Sequence, residues 1–138
     1  MNYYEQIKTQ FINKEITKKV NEYNTNKSDL STYYNVGKLI VEAQGGEERA
    51  KYGNKLIKEY SNRLTEELGK GYSESNLKRM RQFYLIIEKG VALQHQLSWN
   101  HYIALLSLKS IDEINYYISI SNRITYRELR NVIENMLK

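Results

Sequence analysis

The chain of 138 residues contains no cysteine and no proline. Without cysteine it has no disulfide bond, no thiolate nucleophile and no cysteine ligand for a metal, and such a composition fits the reducing cytoplasm. Without proline, the strongest breaker of helices is missing, so long helices can run uninterrupted. Together these absences favour a cytoplasmic protein with long helices.

Long apolar runs are also missing. The longest are only a few residues, such as Leu85-Ile86-Ile87, whereas a membrane-spanning helix needs roughly 20. Residues 1–5 lack the basic segment and apolar core of a signal peptide. Hydrophobic residues still make up 41% of the chain and charged residues 27%, which is the balance of a folded domain. The sequence therefore predicts one domain over residues 1–138, without membrane association.

Helical periodicity dominates the sequence. In the N-terminal region the apolar residues that recur at helical spacing are Ile7, Phe11, Ile16, Val20 and Tyr23. We expect a polar break at 24–28 and a second helix from about 29 to 44, ended by Gly45-Gly46. Glycine inside a helix costs about 1 kcal/mol relative to alanine, so Gly37 indicates a close contact between helices.

Further helices are predicted over about 48–68, 73–89 and 98–108, and then from Ser110 and from Thr125. Ser98 and Ser110 are typical N-caps, and Thr125 with Glu128 forms the pattern of a capping box. Residues 91–98 fit a short helix, a loop or a small strand that forms a wing. No segment shows sustained strand alternation, so we predict an all-α domain of six or seven helices, with a helix-turn-helix core at about 48–89 and C-terminal helices at 98–137.

The stretch from Leu68 to Tyr84 is typical of a helix-turn-helix, because a glycine-containing turn joins two helices and Ser73 caps the second. On a helical wheel, Ser75, Lys78, Arg79 and Gln82 lie opposite the apolar positions. Cations suit phosphates, and Arg, Gln, Asn and Ser suit base edges. Arg81 lies at the edge of the apolar face, where a structural role is expected, and Ile86 interrupts the polar face.

The basic residues cluster around this stretch. Residues 49–81 carry nine cations and four acids, a net charge of +5 that equals the formal charge of the whole chain. We therefore expect DNA to be the partner, with Ser75, Asn76, Lys78, Arg79 and Gln82 facing the duplex. We expect Lys55 and Lys70 to hold phosphates.

Several blocks of the sequence resemble a known family. They are Tyr52-Gly53, Leu56-Ile57, Ser61, Leu64, Gly69, Gly71-Tyr72-Ser73, Asn76-Leu77, Met80-Arg81-Gln82-Phe83-Tyr84 and Gln96-Leu97-Ser98-Trp99-Asn100-His101-Tyr102. At this spacing they resemble the N-terminal helix-turn-helix domain of the YhcG-type bacterial proteins, over roughly residues 15–135. Where the family often has proline before the tryptophan, this chain has Ser98, and either residue can begin a helix.

The resemblance implies a DNA-binding helical domain, often found with mobile elements or defence loci. Most such proteins continue into a nuclease domain of the PD-(D/E)XK class, whose site needs acidic residues and a lysine two positions after one of them. No acidic residue of this chain is followed by lysine at that spacing. We therefore expect no enzymatic activity, in either an excised domain or a naturally short relative.

Other candidate residues point to no cofactor and no metal. His95 and His101 are six residues apart, which does not place them on one helix face, and no carboxylate cluster accompanies them. No glycine-rich phosphate loop is present. Trp99, His101 and Tyr102 are expected in the core beneath the motif helix, and the functional alternative is that Asn100 or His101 contacts DNA or a partner.

Two other hypotheses stay open at this point. A short relative with an intact basic surface could be a protein-interaction module, such as a phage-encoded anti-defence (anti-CRISPR-like) inhibitor of a nucleic-acid-guided nuclease. It could also be the targeting domain of a truncated nuclease. A homodimer fits the DNA-binding hypothesis, because many helix-turn-helix proteins bind two DNA half-sites as dimers.

Overall fold

A computed structural model describes residues 2–20, 25–46, 54–94, 97–121 and 124–137 of the chain. Within these ranges the chain forms seven helices and no strand, which confirms the predicted all-α single domain. The helices are α1 (Tyr3–Val20), α2 (Thr25–Ala43), α3 (Asn54–Leu68), α4 (Glu74–Glu88), α5 (Trp99–Leu105), α6 (Ile111–Ser121) and α7 (Tyr126–Leu137). None of these described helices is long and apolar enough to cross a membrane.

Helix α2 begins earlier than the sequence predicts. The polar break expected at 24–28 is wrong from Thr25 onward, because the helix already includes these residues. They are polar, but they contain neither glycine nor proline, and threonine and serine are common where helices begin. Tyr23 and residues 47–53, where the third helix was expected to begin, lie outside the described residues.

Helix α2 ends on the predicted glycines. Gly45 has φ 91° and Gly46 has φ 110°, a conformation that glycine adopts without steric cost. The Gly46 N–H donates to the Val41 carbonyl at 2.9 Å, and the Gly45 N–H donates to the Glu42 carbonyl at 3.0 Å. This pair of hydrogen bonds is the Schellman arrangement that satisfies the last carbonyls of a helix.

Helices α2 and α4 cross at very short distance at Gly37. A Cβ atom added there would lie 2.1 Å from the Met80 carbonyl oxygen and 2.8 Å from the Tyr84 Cβ. The predicted close contact is therefore confirmed, and its partner is the backbone of α4. Near the end of the crossing, the rings of Tyr34 and Tyr84 meet edge to face at 5.1 Å.

The apolar core consists of two clusters, and α2 and α4 belong to both. The first cluster joins α1, α2, α3 and the start of α4, and it contains Ile7, Phe11, Ile40, Leu64, Leu77 and Met80. The second joins α2 and the middle of α4 to the C-terminal helices, and it contains Leu30, Phe83, Tyr102, Leu105, Ile118 and Leu129. Tyr33 and Trp99 pack against both clusters. Helix α4 therefore packs against the first cluster with its N-terminal half and against the second cluster with its C-terminal half.

The described residues of the segment that follows α4 show no strand of the wing considered from the sequence. Residues 91–94 and 97–98 contain no strand, while residues 95–96 lie outside the described part. The Tyr102 hydroxyl accepts from the Gln94 N–H at 2.7 Å and donates to the Ala92 carbonyl at 3.1 Å. The Asn115 side-chain oxygen accepts from the Ala92 N–H at 3.0 Å, and its amide nitrogen donates to the Gly90 carbonyl at 3.2 Å. Because side chains satisfy this backbone, it needs no strand partner.

The predicted caps of the last three helices are confirmed, although α5 is shorter than predicted and stops at Leu105 rather than Leu108. The Ser98 hydroxyl accepts from the His101 N–H at 3.3 Å and the Ser110 hydroxyl accepts from the Glu113 N–H at 3.4 Å. The Thr125 hydroxyl accepts from the Glu128 N–H at 3.2 Å, while the Glu128 carboxylate accepts from the Thr125 N–H at 3.4 Å. This reciprocal pair is a capping box.

Candidate nucleic-acid interface

The turn between α3 and α4 depends on two glycines. Gly69 has φ 100° and Gly71 has φ 107°, and L side chains rarely adopt such values. The Ser61 hydroxyl of α3 donates to the Tyr72 carbonyl at 2.8 Å, and the Tyr72 ring packs edge to face on Phe11 at 4.9 Å. The turn is therefore held against α3 and α1, and it places Lys70 on its exposed side.

A chain of hydrogen bonds fixes the start of α4. The Ser73 hydroxyl accepts from the Asn76 N–H at 3.2 Å, which confirms Ser73 as the N-cap. The Asn76 amide donates to the Gly71 carbonyl at 3.3 Å and its oxygen accepts from Arg79 at 3.3 Å. Asn76 therefore joins the turn to Arg79 and orients that guanidinium.

The first two turns of α4 carry exposed polar side chains. Ser75 and Arg79 are exposed and Lys78 is partly exposed. Lys70, Lys78 and Arg79 form no ion pair with any residue in the described ranges. No carboxylate of the described residues pairs with these three charges, which favours their contact with an anionic partner. We call the surface formed by Lys70, Ser75, Lys78 and Arg79 the α4 face.

The second half of α4 contacts the C-terminal part of the chain. The Gln82 amide donates to the Leu106 carbonyl at 3.1 Å, and Ile86 packs against the second apolar cluster. The predicted base-contacting Gln82 is exposed, but one of its amide donors is thus engaged in an intramolecular hydrogen bond. Arg81 is half-buried, and the loss of solvent lowers its pKa, in keeping with its expected position at the edge of the apolar face.

Five of the predicted site residues line one hollow beside α4. It has a volume of about 420 Å³ and also receives side chains from α1, α2 and α5. The predicted residues that meet there are Lys70, Asn76, Arg79, Trp99 and Asn100. Lys14, Phe11, Tyr33 and Tyr72 line it as well, so the hollow combines three cations with four aromatic rings, of which Phe11 is buried.

Lys14 is held at the wall of this hollow by contacts with α2. Its ammonium donates to the Tyr33 hydroxyl at 3.2 Å and lies 5.1 Å from the centroid of that ring. Glu15 lies 3.9 Å away. Burial alone would lower the pKa of Lys14, but Tyr33 and the carboxylates of Asp29 and Glu15 outweigh it and raise the pKa. Lys14 therefore stays charged at neutral pH.

A second hollow of about 350 Å³ continues the first. The two share Arg79, Asn100 and Ile103, and the second also reaches Tyr126 and Arg130 of α7. The Arg130 side chain is 62% exposed and lies 3.5 Å from the Glu134 carboxylate. We call the two connected hollows the trough. It runs from Lys14 and Lys70, past Arg79, to Arg130.

Other cations of the predicted basic cluster lie elsewhere. Lys55 is exposed near the start of α3, and at 1.5 Å per residue it is roughly 20 Å along that helix from the turn. The Arg63 guanidinium stacks 3.7 Å from the centroid of the Tyr4 ring, a cation–π contact that fixes α3 to α1. Arg49 and Lys51 lie outside the described residues.

The aromatic block after α4 packs beneath the motif helix. Trp99 lies 4.5 Å from the Tyr33 ring and 5.2 Å from the Phe83 ring, and Tyr102 is buried 5.0 Å from Phe83. The Nδ1 atom of His101 lies 3.2 Å from the Ser98 backbone nitrogen. Its Nε2 atom lies 3.2 Å from the Ile124 carbonyl oxygen. Asn100 is exposed in the trough. No group of three or more potential metal ligands occurs in the described ranges.

The family of the chain is settled by a match over nearly its whole length. The model of the DUF1016 N-terminal domain matches residues 6–138. The chain belongs to the DUF1016 N-terminal domain family. The DUF1016 match, with the relative below, confirms the resemblance to the N-terminal domain of YhcG-type proteins that the sequence blocks indicate.

One relative of this DUF1016 domain is "Putative nuclease YhcG" of Escherichia coli (strain K12). It is 48% identical over 59 residues, which are 42% of this chain and 16% of that protein. The similarity thus spans a small part of a longer protein. No solved structure matches the chain, and neither match to known proteins supports the inhibitor hypothesis.

Sequence reasoning missed two cations of the DUF1016 domain's trough. Lys14 and Arg130 are 116 positions apart, and they meet one surface with Arg79 only because α1 and α7 both pack beside α4 and α5. No local pattern marks either residue, since each lies on an ordinary helix with mixed charges.

Proposed function

We propose that this chain is a non-catalytic DNA-binding domain that uses the N-terminal half of α4. The observation that supports this function is the α4 face, where Lys70, Lys78 and Arg79 carry charges that no described carboxylate neutralises. Positive charge of this kind attracts phosphates, and it is the main source of affinity in protein–DNA binding.

The geometry favours entry of α4 into the major groove by its first two turns. Residues near the start of a recognition helix reach base edges in helix-turn-helix proteins. Lys78 and Arg79 then contact guanine edges or phosphates, and Ser75 lies within the same two turns. Lys70 in the preceding turn contacts the phosphate backbone. Asn76 acts indirectly, because its side chain orients Arg79.

The absence of catalysis is part of the proposal. No acidic residue of the chain precedes a lysine by two positions, so a PD-(D/E)XK site has no candidate residues here. The longer relative is named as a nuclease, and the similarity covers 16% of it. We propose that in longer proteins a domain of this kind delivers a separate nuclease domain to DNA.

The double variant Lys78→Ala/Arg79→Ala tests the function. It removes two contacts of the α4 face, and each such contact is worth roughly 1–3 kcal/mol, so the Kd for a labelled duplex should rise at least about tenfold. Fluorescence anisotropy with a blunt duplex measures this change, and circular dichroism checks that the variant is folded.

The matched control is Lys38→Ala/Lys109→Ala, which removes the same net charge from exposed positions on α2 and after α5. We expect it to change the Kd by less than about threefold, since long-range attraction is largely screened at physiological salt. Equal losses in the two double variants would contradict the proposal, because binding would then follow net charge and not the α4 face.

A further inference from the structure

The trough has features that the duplex-binding α4 face does not use. Its two hollows meet at Arg79, Asn100 and Ile103 and have volumes of about 420 and 350 Å³. They run along the side of α4 that faces α5, whereas Ser75 and Lys78 do not line them. The trough and the α4 face are therefore adjacent surfaces that overlap at Lys70 and Arg79.

The charge of the trough fits a phosphate backbone. Four cations line it, namely Lys14, Lys70, Arg79 and Arg130, against the two carboxylates of Glu15 and Glu134. Each carboxylate lies within 4 Å of one of these cations, Glu15 at 3.9 Å from Lys14 and Glu134 at 3.5 Å from Arg130. The excess of two positive charges therefore lies at Lys70 in the first hollow and at Arg79, where the two hollows meet.

The aromatic residues of the trough fit bases. Tyr33, Tyr72 and Trp99 line the first hollow and Tyr126 lines the second, and all four are partly exposed. Aromatic rings bind nucleic acid by stacking on base faces. A duplex hides those faces within its own stack, and only unpaired nucleotides present them. Asn100, which is exposed where the two hollows meet, adds an amide group that can bond to a base edge or a phosphate.

We infer that the trough binds an unpaired DNA strand, so that the protein prefers DNA in which a single strand joins a duplex. The combination of a cationic groove with aromatic rings is the general chemistry of single-strand binding. This inference rests on the proposed function, since the duplex part of such a junction occupies the α4 face. Arg79, at the border of the two surfaces, contacts the DNA where the strands separate.

Trp99 supplies a direct probe of the trough, because it is the only tryptophan of the chain. Three labelled DNAs are compared: a blunt duplex, the same duplex with a single-stranded thymidine overhang, and the free thymidine strand. Anisotropy gives each Kd, and the emission of Trp99 is recorded with unlabelled copies. We expect the overhang to tighten binding about tenfold over the blunt duplex, as one or two stacked bases would. We expect saturable quenching of Trp99 by the two DNAs that contain a single strand.

The variant Asn100→Glu places a negative charge where the two hollows meet. Asn100 is exposed at the second position of α5, where the helix dipole favours an acidic residue, so the fold should tolerate the change. It should weaken binding of the thymidine strand about tenfold and leave the Kd for the blunt duplex within about twofold.

The control Asn62→Glu adds the same charge at an exposed position of α3, outside the trough, and should change neither Kd by more than about twofold. Unchanged Trp99 emission with the thymidine strand, or equal effects of the two glutamate variants, would overturn the inference. Failure to bind the blunt duplex would instead contradict the proposed function, so the two failures are distinguishable. Equal affinity for a uridine RNA strand would show that the trough selects unpaired strands without selecting DNA, and would overturn the DNA assignment.

Discussion

Gly37 shows how one residue sets the distance between two helices. The atom that a Cβ would meet is the backbone carbonyl oxygen of Met80, 2.1 Å away, and a backbone atom cannot rotate out of the way as a flexible side chain can. Any larger residue at this position must push α2 and α4 apart.

We predict that Gly37→Ala destabilises the protein although alanine is the better helix former. The helix propensity gain is about 1 kcal/mol, while overpacking of a core costs about 1–3 kcal/mol and more where backbone must move. Because the clash is with backbone, the cost lies at the upper end of this range, and the free energy of unfolding should fall by about 2 kcal/mol after the gain is subtracted, measured by urea denaturation. Ser31→Ala, at an exposed site on α2, is the control and should stay within about 0.5 kcal/mol. A more stable Gly37→Ala protein would contradict the close crossing.

At the residue scale, sequence reasoning succeeded where the cause is local. Gly37 and the Ser73 cap could be predicted because a glycine within a helix and a serine before one each have a physical meaning by themselves. The Gln82 contact could not be predicted, since its acceptor is the Leu106 carbonyl, 24 residues away. A helical wheel separates polar from apolar faces, but it does not show which polar residues another element will cover.

Helix α4 is the element on which both proposed binding surfaces depend. Its first half presents most of the α4 face, and its second half packs its apolar residues against the C-terminal helices. Its C-terminal end is joined to α2, because the Tyr34 hydroxyl donates a hydrogen bond to the Glu88 carboxylate. The two helices are therefore joined at Gly37 and again through Tyr34.

The Tyr34–Glu88 bond predicts a dependence of stability on alkaline pH. The hydrogen bond to Glu88, burial, and the negative charge of that carboxylate raise the pKa of Tyr34 from 10.0 to about 12. Because the folded pKa is raised, the stabilisation is fully present below pH 10 and is lost as the pH rises through about 12. Tyr34→Phe should therefore be less stable than the wild type by about 0.5–1 kcal/mol at neutral pH.

Urea denaturation between neutral pH and the alkaline range measures the difference in free energy of unfolding between Tyr34→Phe and the wild type. This difference should become smaller above pH 10. The control is Tyr116→Phe, which removes an exposed hydroxyl without a hydrogen bond to any described residue, and it should match the wild type throughout. A difference between Tyr34→Phe and the wild type that stays constant above pH 10 would show that the hydroxyl does not titrate against Glu88.

At the element scale, the ends of helices were predicted better than some of their beginnings. Gly45-Gly46 and the Thr125–Glu128 capping box are confirmed, because the backbone groups at helix ends need partners that short motifs supply. The start of α2 was misplaced, because polar residues such as Thr25 are as compatible with a first turn as with a loop. The end of α5 was placed at Leu108, since apolar Leu106 and Leu108 continue the pattern although both are buried in the turn that follows the helix.

At the scale of the whole molecule, the basic residues are distributed differently from their order in the sequence. Nine cations between residues 49 and 81 look like one cluster. In the structure Arg63 stacks on Tyr4 and Arg81 is half-buried, and neither lines the trough. Lys14 and Arg130, from opposite ends of the chain, line the trough instead. The packing of α1 and α7 decides this, and only the three-dimensional fold reveals it.

The family and the all-α class of the molecule followed from the sequence because motif spacing and helical periodicity are properties of the chain itself. The two apolar clusters that share α2 and α4 did not, since each cluster joins residues from four or more helices. This arrangement holds α4 from both sides, and it leaves its first two turns and the trough beside them open to a partner.

The dependence of duplex binding on salt tests the central claim most directly. Each phosphate contact contributes about −0.9 to the slope of the logarithm of the association constant against the logarithm of the salt concentration. Three contacts, from Lys70, Lys78 and Arg79, predict a slope of about −3 between about 50 and 200 mM salt, and Lys78→Ala/Arg79→Ala should reduce it to about −1. A duplex affinity that does not change with salt, or a slope that is the same in both proteins, would contradict DNA binding through the α4 face.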